Sequence, residues 1–234
     1  MKKLFFLILL NSLSTLSVSA QKVVEKTLPA ASNQEIDLQL KFGDDIKISA
    51  WDKPEVYVKV TYNINSGRLN DALKLDFNSG TNGPRVTVDL DHDLLKTGRA
   101  EDCPDAPYGR NRSSYNGQEY YTCTQIDYEI KVPRNNSLVV NTINGNIELR
   151  GINGPVNAKS ISGFVDMSWP DKKGATISFK TITGEVYSDL NIGFTNKQKE
   201  IPIVGYQLKG DLNGGGSRVK LETISNNVYF RKGN

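Results

Sequence analysis

The residues of this chain whose types could do chemistry are concentrated between positions 89 and 124. Cys103 and Cys123 are the only two cysteines among 234 residues. In an exported chain two cysteines favour a disulfide over free thiols, and on the chain-entropy model a bridge of this span constrains the unfolded chain by roughly 3 kcal/mol. A zinc site is excluded, because two sulfurs and the single histidine of the chain do not make a set of four ligands.

The single histidine, His92, is the natural candidate for a general base. Nucleophilic catalysis needs such a base beside a serine or cysteine. His92 instead lies among Asp89, Asp91 and Asp93, and we interpret it as a solvated residue at the edge of a loop.

The same aspartates resemble the first half of a calcium loop, because hard cations prefer several oxygens at alternating positions. The sixth position is Leu94 where an EF-hand has Gly, and the twelfth is Ala100 where it has Glu. An EF-hand is therefore excluded. A looser calcium site stays open as an alternative, and it would draw on Glu101, Asp102 and Asp105. The main expectation is that no metal and no cofactor is bound.

Carboxylate pairs for glycoside hydrolysis are not excluded by counting, because the chain has 26 acidic residues and the required separation of about 5 to 9 Å is invisible in sequence. The acids mostly occupy the outward positions of alternating strands, where charge is expected for solvation alone. We therefore expect a protein that is not an enzyme, with a glycan-active hydrolase as the weakest alternative.

The segment from Asp91 to Thr124 is the best candidate for recognition. It contains no strand pattern, and loops longer than about 15 residues in compact domains are usually functional or disordered. Its tyrosines and arginines combine rigid aromatic anchors with polar groups, a mixture that binding loops favour. The alternative is an insertion that a disulfide staples and that binds nothing. The candidate partner-binding residues are Tyr108, Arg110, Arg112, Tyr115, Tyr120 and Tyr121.

The elements that must position these residues are strands. Apolar and polar residues alternate with period two in runs such as Ile36 to Phe42, Val56 to Val60 and Ile126 to Val132, each bounded by Gly, Pro, Asn or Asp. The best helical candidate, Asn70 to Lys74, is too short to compete with the alternation that follows it. The chain is therefore predicted to be all-β.

The C-terminal half repeats one pattern four times, at 138–149, 156–167, 177–187 and 219–230. Each copy has a Thr or Ser, then Ile, and then Gly or Asn three residues after the hydroxyl. We predict that this Gly or Asn is a structural turn that accepts a positive φ, and that the isoleucines of successive corners stack. The turn residues are Gly145, Gly163, Gly184 and Asn226.

The hydroxyl residues of successive copies are separated by 18, 21 and 42 residues, and a degenerate copy at 203–206 lies where a missing coil would fall. Such periodicity predicts an irregular single-stranded β-solenoid, similar to a β-helix, in which each coil covers the edge of its neighbour. The alternative is a β-sandwich or barrel built from ordinary hairpins.

The first twenty residues have the layout of a secretory signal: Lys2 and Lys3, an apolar run, and small residues up to Ala20. The apolar run is far shorter than the roughly 20 residues that span a bilayer. We expect a signal peptide at 1–20, an N-terminal extension at 21–34 and one domain at 35–234 with the insertion at 91–124. The mature chain is then exported to the periplasm, cell surface or medium, without a transmembrane segment.

Charge excludes one class of partner. The whole chain has 29 basic and 26 acidic residues, and removal of the signal with its two lysines leaves a net charge of +1. The basic residues are spread singly along the predicted strands, so the sequence gives no electrostatic support for binding nucleic acid.

Two segments of the sequence and the repeats resemble the bacterial putative-adhesin family, also called toast-rack or head-GIN-like domains, of the secreted Bacteroidetes type. The resemblance rests on 42–48, on 53–60 and on later copies such as 180–186, and it covers most of the mature chain. It implies a β-solenoid in the periplasm or at the cell surface, no catalytic residues and an adhesive role. The insertion at 91–124 departs from the family pattern.

Together these features predict an adhesin-like binding protein of the cell envelope, whose partner is an unidentified surface glycan or envelope protein. A structural or stress-linked envelope scaffold is the alternative. The two differ in whether the insertion contacts a ligand or the strands stack against other β domains.

Overall fold

The computed structural model describes residues 21–104, 111–195, 205 and 207–233, and within them the chain is all-β. Helix is confined to single turns, which are α1 His92–Leu95 and the 3₁₀ turns Asn70–Ala72 and Ala100–Asp102. The strands are β1 Lys22–Pro29, β2 Glu35–Leu40, β3 Asp45–Trp51, β4 Glu55–Ile64, β5 Leu73–Gly80, β6 Gly83–Leu90, β7 Asn111–Tyr115, β8 Gln118–Thr122, β9 Thr124–Pro133, β10 Ser137–Thr142, β11 Asn146–Arg150, β12 Val156–Ser160, β13 Val165–Pro170, β14 Ala175–Lys180, β15 Val186–Ser188, β16 Gly193–Phe194, β17 Gln207–Leu212, β18 Ser217–Thr223 and β19 Val228–Gly233.

Two mixed, open sheets carry the architecture. Sheet I has the strand order β1-β4-β9-β3-β11-β13-β19-β15, and sheet II has the order β16-β17-β14-β18-β12-β10-β2-β6-β5. The remaining strands, β7 and β8, form a separate hairpin. Parallel pairs fill the middle of both sheets, while antiparallel pairs such as β1–β4 and β14–β17 lie toward their ends.

The parallel region is built from rungs, each of which is one strand of sheet II joined by a corner to one strand of sheet I. The rungs are β2–β3, β10–β11, β12–β13, β14–β15 and β18–β19, and each pairs in parallel with its neighbour in both sheets. The four repeated segments of the sequence therefore each supply one rung.

The order of the rungs differs from the order of the repeats. The last copy in sequence, β18–β19, lies between β12–β13 and β14–β15. This is possible because β17 runs antiparallel along the other side of β14, and the chain then crosses the start of β14 to reach β18. Gly214, Gly215 and Gly216 have φ of 80°, 86° and 152° at that crossing. Apart from Gly205, the degenerate copy at 203–206 lies outside the described residues.

One continuous core lies between the two sheets. The inward positions of the alternating strands are almost all fully buried, among them Ile36, Leu38, Val58 and Val60. Phe179 of sheet II packs against Phe230 of sheet I, with ring centroids 5.2 Å apart. Burial of this apolar surface, at about 25 cal/mol per Å², is what stabilises the two-layer arrangement.

The corners are held by the buried hydroxyls of the repeat. Ser160 Oγ donates to the Gly145 carbonyl of the preceding rung (2.9 Å) and accepts from the Gly163 N–H (2.8 Å). Thr181 Oγ1 donates in the same way to the Asn226 carbonyl of the adjacent rung (2.8 Å) and accepts from the Gly184 N–H (3.0 Å). These two hydroxyls close their own turns and tie them to a neighbouring rung, whereas the hydroxyls of Thr142 and Thr223 donate to the Asn144 and Asn226 carbonyls of their own turns.

The expected positive φ occurs at only one of the four turn residues. Gly145 has a φ of 125°, whereas Gly163, Gly184 and Asn226 are outside the left-handed region. Glycine is needed at two of these positions for space instead. A Cβ on Gly163 would lie 1.8 Å from the Gly145 oxygen, and one on Gly184 would lie 2.0 Å from the Asn226 oxygen.

Two of the four corner isoleucines are exposed and the other two, Ile161 and Ile224, are half-buried. Backbone hydrogen bonds between corners place them in the order Ile143, Ile161, Ile224, Ile182 along one side. Ile143 is 39% exposed and Ile182 is 37% exposed. The buried residue of each corner is therefore the hydroxyl that precedes the isoleucine.

Two segments are more ordered than the sequence predicts. Within 91–124, which we expect to be free of strands, β7 and β8 pair as a hairpin. Its turn is Asn116-Gly117, with φ of 51° and 77°, the residue pair that a two-residue hairpin turn favours. Within 21–34, expected as an extension, β1 pairs with β4 along its whole length. Among the described residues no helix is long and apolar enough to span a membrane.

The close corner contact predicts the effect of adding one methyl group. Gly163→Ala forces the new Cβ against the backbone of the preceding rung, and overpacking of this kind costs about 1–3 kcal/mol. Gly193→Ala is the matched control, because its Cβ would meet its nearest atom at an ordinary 3.5 Å. Urea unfolding should show a loss of stability for Gly163→Ala alone, and equal stabilities of the two variants would contradict the packing described here.

Candidate functional site

The insertion at 91–124 is attached to the body of the protein through Asn65, which directly follows β4 and is fully buried. The Asn65 side chain donates to the Tyr121 carbonyl (2.8 Å) and accepts from the Cys123 N–H (3.0 Å). Its own N–H donates to the Cys123 carbonyl (2.9 Å). Asn65 has a φ of 49°, a left-handed conformation that asparagine tolerates better than most residues.

An ion pair provides the second attachment. Arg68 donates to both carboxylate oxygens of Asp102, at 2.8 Å from Nε and 2.5 Å from Nη2, and also to the Thr97 carbonyl (2.7 Å). The Asp102 side chain is 9% exposed and accepts further from the Arg99 N–H. The Arg68 guanidinium is the main cause that lowers the pKa of Asp102 to about 2.

The disulfide is the third attachment. Cys103 and Cys123 are bonded, with their Cα atoms 5.9 Å apart, as the sequence predicts. Cys103 is 2% exposed, and Cys123 is adjacent to the backbone that Asn65 holds. The bridge therefore ties the segment after the 3₁₀ turn to the start of β9.

Between α1 and the hairpin lies a cleft of about 420 Å³, which we call the insertion cleft. It is lined by side chains that donate hydrogen bonds or carry positive charge. Lys96 pairs with Asp93 (2.7 Å) and lies over the Tyr115 ring, 4.1 Å from its centroid. Arg112 pairs with Glu119. The lining residues are His92, Leu95, Lys96, Asn111, Arg112, Ser113, Tyr120 and Thr122.

The electrostatics of the insertion cleft favour a polar or anionic ligand. Among the described residues no carboxylate lines it, and the acids that pair with its two cations lie outside, with Asp93 90% exposed and Glu119 45% exposed. Such exposed pairs are worth about 0–1 kcal/mol. A ligand carboxylate or hydroxyl can therefore compete for Lys96 and Arg112 at little cost.

The residues predicted for binding divide into three groups. Arg112 and Tyr120 line the insertion cleft, and Tyr115, 54% exposed, lies at its edge over Lys96. Tyr121 instead anchors the insertion through its backbone, and its hydroxyl donates to Glu119 (3.2 Å). Tyr108 and Arg110 lie outside the described residues.

Sequence reasoning did not single out Lys96, Ser113 and Thr122, which line the cleft together with Asn111 and Arg112. These residues converge because the hairpin folds back toward α1. Asn116-Gly117 was the available signal for that hairpin.

Those of the acids considered for calcium that the structure describes are engaged with protein groups. Asp89 pairs with Lys41 (2.6 Å) and Asp91 caps α1 by accepting from the Leu94 N–H (3.1 Å). Asp102 is taken by Arg68, and Asp105 lies outside the described residues. Within the described part of the chain, no group of three His, Cys, Asp or Glu residues is arranged to hold a metal ion.

A second, larger groove of about 600 Å³ lies over the β2–β3 corner and includes Asp44, Asp45 and Asp127 in its lining. Burial raises the pKa of Asp44, and Asp127 and Asp45 add to the effect. Asp44 exchanges hydrogen bonds with the backbone of Ile126, accepting at 2.8 Å and donating at 2.7 Å. This acid therefore has a structural role in closing the corner against β9.

The comparisons with known proteins identify a shared fold. Neither a family model nor a curated protein matches the chain. A crystal structure described as a "putative cell adhesion protein" from Clostridium sporogenes aligns with a TM-score of 0.50 at 12% identity, over 91% of this chain and 100% of that one. The two proteins share a fold. A "putative adhesin" from Bacteroides fragilis also aligns, with a TM-score of 0.27 at 7% identity over 92% and 98% of the two chains.

The attachment through Asp102 predicts a pH dependence. Because the folded pKa lies below the ordinary value of 3.8, the stabilisation is fully present above pH 4 and is lost as the pH falls toward 2. Asp102→Asn should therefore lower the free energy of unfolding by about 1–2 kcal/mol at pH 7, since Arg68 is partly exposed and solvent screens the pair.

The measurement is urea unfolding of the wild type and Asp102→Asn at pH 7, 4 and 2.5, in which the difference should shrink at the lowest pH. Asp93→Asn is the control, because its exposed pair with Lys96 contributes little. A difference that does not change with pH would contradict the role of the Asp102 carboxylate.

Proposed function

We propose that this chain is an exported, adhesin-like binding protein of the bacterial envelope, with no catalytic activity, that captures a surface partner through the insertion cleft. The observation that carries the proposal is the construction of the cleft. Tyrosine, lysine and arginine side chains surround a cavity on a segment attached by a buried asparagine, an ion pair and a disulfide. Attachment of this kind lowers the ordering cost of binding.

The architecture also supports a more specific assignment of the fold, as a β-solenoid that carries an insertion. Five parallel rungs that each cover the edge of the next are what a solenoid requires. A β-sandwich is the alternative, because the two open sheets also face each other across one core. In either case the rungs form a rigid body that carries the insertion on one side.

Location outside the cytoplasm is supported by the disulfide, since such bonds persist in oxidising compartments, and by the signal-like first twenty residues. The fold shared with a protein described as a "putative cell adhesion protein" agrees with an adhesive role. The positive lining of the cleft favours an acidic surface glycan as the partner. An envelope protein that presents acidic side chains is the alternative, because its carboxylates would bind the same cations.

Arg112→Ala is the sharpest test of the cleft. The expected result is a loss of about tenfold in affinity for intact bacterial cells or for acidic glycans on an array, which corresponds to about 1.4 kcal/mol and is typical of a lost charged hydrogen bond. Arg85→Ala is the matched control, because Arg85 is a similarly exposed arginine in a salt bridge remote from the insertion.

Binding is measured by flow cytometry with labelled protein and by titration against the array. Equal affinity of the wild type and Arg112→Ala would contradict the assignment of the site, as would unchanged binding after the hairpin at 111–122 is replaced by a short Gly-Ser linker. Absence of any binding to cells, glycans or envelope proteins would contradict the adhesin-like function.

A structural envelope scaffold is the second candidate, and the exposed corner isoleucines favour it. Ile143 and Ile182 lie on the same side of the rungs and are each more than one third exposed, and apolar surface of this kind can join β domains. Sedimentation velocity distinguishes this candidate. Association that rises with protein concentration and is lost in Ile143→Lys would support the scaffold.

A further inference from the structure

The outward face of sheet I carries a row of side chains that belong to the same position of four successive rungs. In the parallel register Glu148 lies opposite Asp166, Asp166 opposite Tyr229, and Tyr229 opposite Tyr187. We call Glu148, Asp166, Tyr229 and Tyr187 the outer row. The acidic half of the row lies on the central strands β11 and β13, and the aromatic half lies on β19 and on the terminal strand β15.

The aromatic half is a ladder of rings. Tyr187 and Tyr229 are stacked, with centroids 5.3 Å apart and ring planes within 12° of parallel. Phe164 meets Tyr229 edge-on at 6.0 Å. Since β15 is the last strand of sheet I among the described residues, the face of Tyr187 turned away from Tyr229 has no described strand beside it, and Tyr187 is 46% exposed.

The rings are fixed by hydrogen bonds at their hydroxyls. Asn227 Nδ2 donates to the Tyr229 hydroxyl (3.0 Å), and the Tyr187 hydroxyl donates to Glu185. The Arg231 guanidinium lies over the Tyr229 ring, 4.7 Å from its centroid. The exposed face of Tyr187 is therefore presented in one orientation, with polar groups around it.

Asp166 connects the rings to the charged half of the row. It accepts from Arg150 (2.8 Å) and lies 3.3 Å from Arg231, both through Oδ2. The residue is 5% exposed, and its Oδ1 is buried without a hydrogen-bond partner among the described residues. A buried acceptor in this state is unusual, and it lies on the outward face beside Tyr229 and the two arginines.

We propose that this end of sheet I is a binding platform for a neutral hexopyranose ring of a glycan, separate from the insertion cleft. The C–H groups on one face of the sugar pack on the exposed face of Tyr187, since the negative face of an aromatic ring attracts polarised hydrogens. The sugar hydroxyls, which both donate and accept, pair with the Glu185 carboxylate at the rim of the ring ladder.

Neutral sugar fits better than an anion or a peptide. The acids Glu148, Asp166 and Glu185 outnumber Arg150 and Arg231 around the platform, and both arginines are already paired with Asp166. An anionic ligand would have to displace those pairs. A peptide strand would gain little, because β15 is only three residues long and offers few backbone groups for pairing.

The platform and the insertion cleft are far apart. Five strand spacings separate β9, where the insertion rejoins sheet I, from β15, which at 4.8 Å each is about 24 Å. A variant of one site therefore leaves the other intact, and the two proposals can fail separately.

The test is affinity electrophoresis and isothermal titration of the full mature chain with laminarin, hydroxyethylcellulose, galactomannan and dextran as neutral probes built from hexopyranoses. We expect at least one of them to bind the wild type, Tyr187→Ala to lose at least about tenfold in affinity, and Tyr187→Phe to keep most of it because the ring face remains. Tyr57→Ala is the matched control, because Tyr57 is an outward-facing tyrosine of β4 near the opposite end of sheet I, and its loss should leave this binding unchanged.

Circular dichroism and thermal unfolding of Tyr187→Ala check that the edge strand still folds. The proposal is overturned if none of the four glycans binds the wild type, or if Tyr187→Ala binds as tightly as the wild type. Equal losses in Tyr187→Ala and Tyr57→Ala would also overturn it, because binding would then not depend on the exposed ring of Tyr187. None of these results bears on the binding of acidic partners by Arg112.

Discussion

Adjacent rungs approach so closely at their corners that a backbone carbonyl of one rung fills the space where a Cβ of the next would lie. The Gly145 oxygen against Gly163 is the clearest case, and the same oxygen accepts the Ser160 hydroxyl. This corner thus requires a glycine and a small hydroxyl residue together. The parallel ladders hold the rungs in register, and the outward positions of neighbouring strands in sheet I therefore fall into rows.

That constraint explains why binding surfaces can arise here without disturbing the fold. Inward positions of the rungs are used by the core, and the corners are used by the hydroxyl and backbone hydrogen bonds. Outward positions remain free to vary, and the outer row changes from Glu148 and Asp166 to Tyr229 and Tyr187 along the stack. An insertion between β6 and β9 is tolerated for the same reason, since it leaves the rungs and their contacts untouched.

The sequence was sufficient for most of the strands, for the core and for the positions of the repeated corners, because alternation and a fixed spacing indicate local structure directly. It was insufficient for the order of the rungs. The rung β18–β19 lies between β12–β13 and β14–β15 because the chain crosses the start of β14 through Gly214 to Gly216. In the sequence, a run of three glycines predicts only a turn. The outer row, by contrast, was present in the repeat alignment, six residues after each hydroxyl, but only pairing between strands shows that these residues are neighbours.

For the insertion, the disulfide was predictable from two cysteines in an exported chain, whereas the role of Asn65 was not. Asn65 lies twenty-six residues before the insertion begins, and no sequence motif surrounds it. Its importance comes from the two backbone groups of the insertion, the Tyr121 carbonyl and the Cys123 N–H, with which its side chain forms hydrogen bonds. The hairpin escaped detection because its short strands lack apolar alternation, although Asn116-Gly117 marks its turn. Buried backbone groups need hydrogen-bond partners, but local sequence patterns do not show which distant side chain provides them.

The two candidate surfaces differ in how their charges are used, and this difference separates their ligands. In the insertion cleft the partners of Lys96 and Arg112 are exposed carboxylates outside the lining, so the cations remain available to an incoming acidic group. On sheet I the carboxylate of Asp166 is buried beneath both Arg150 and Arg231. Separating a buried charge from its partners costs much more than separating an exposed pair, and the arginines of that surface are therefore committed to the protein, which leaves ring faces and hydroxyl-binding groups as its means of recognition.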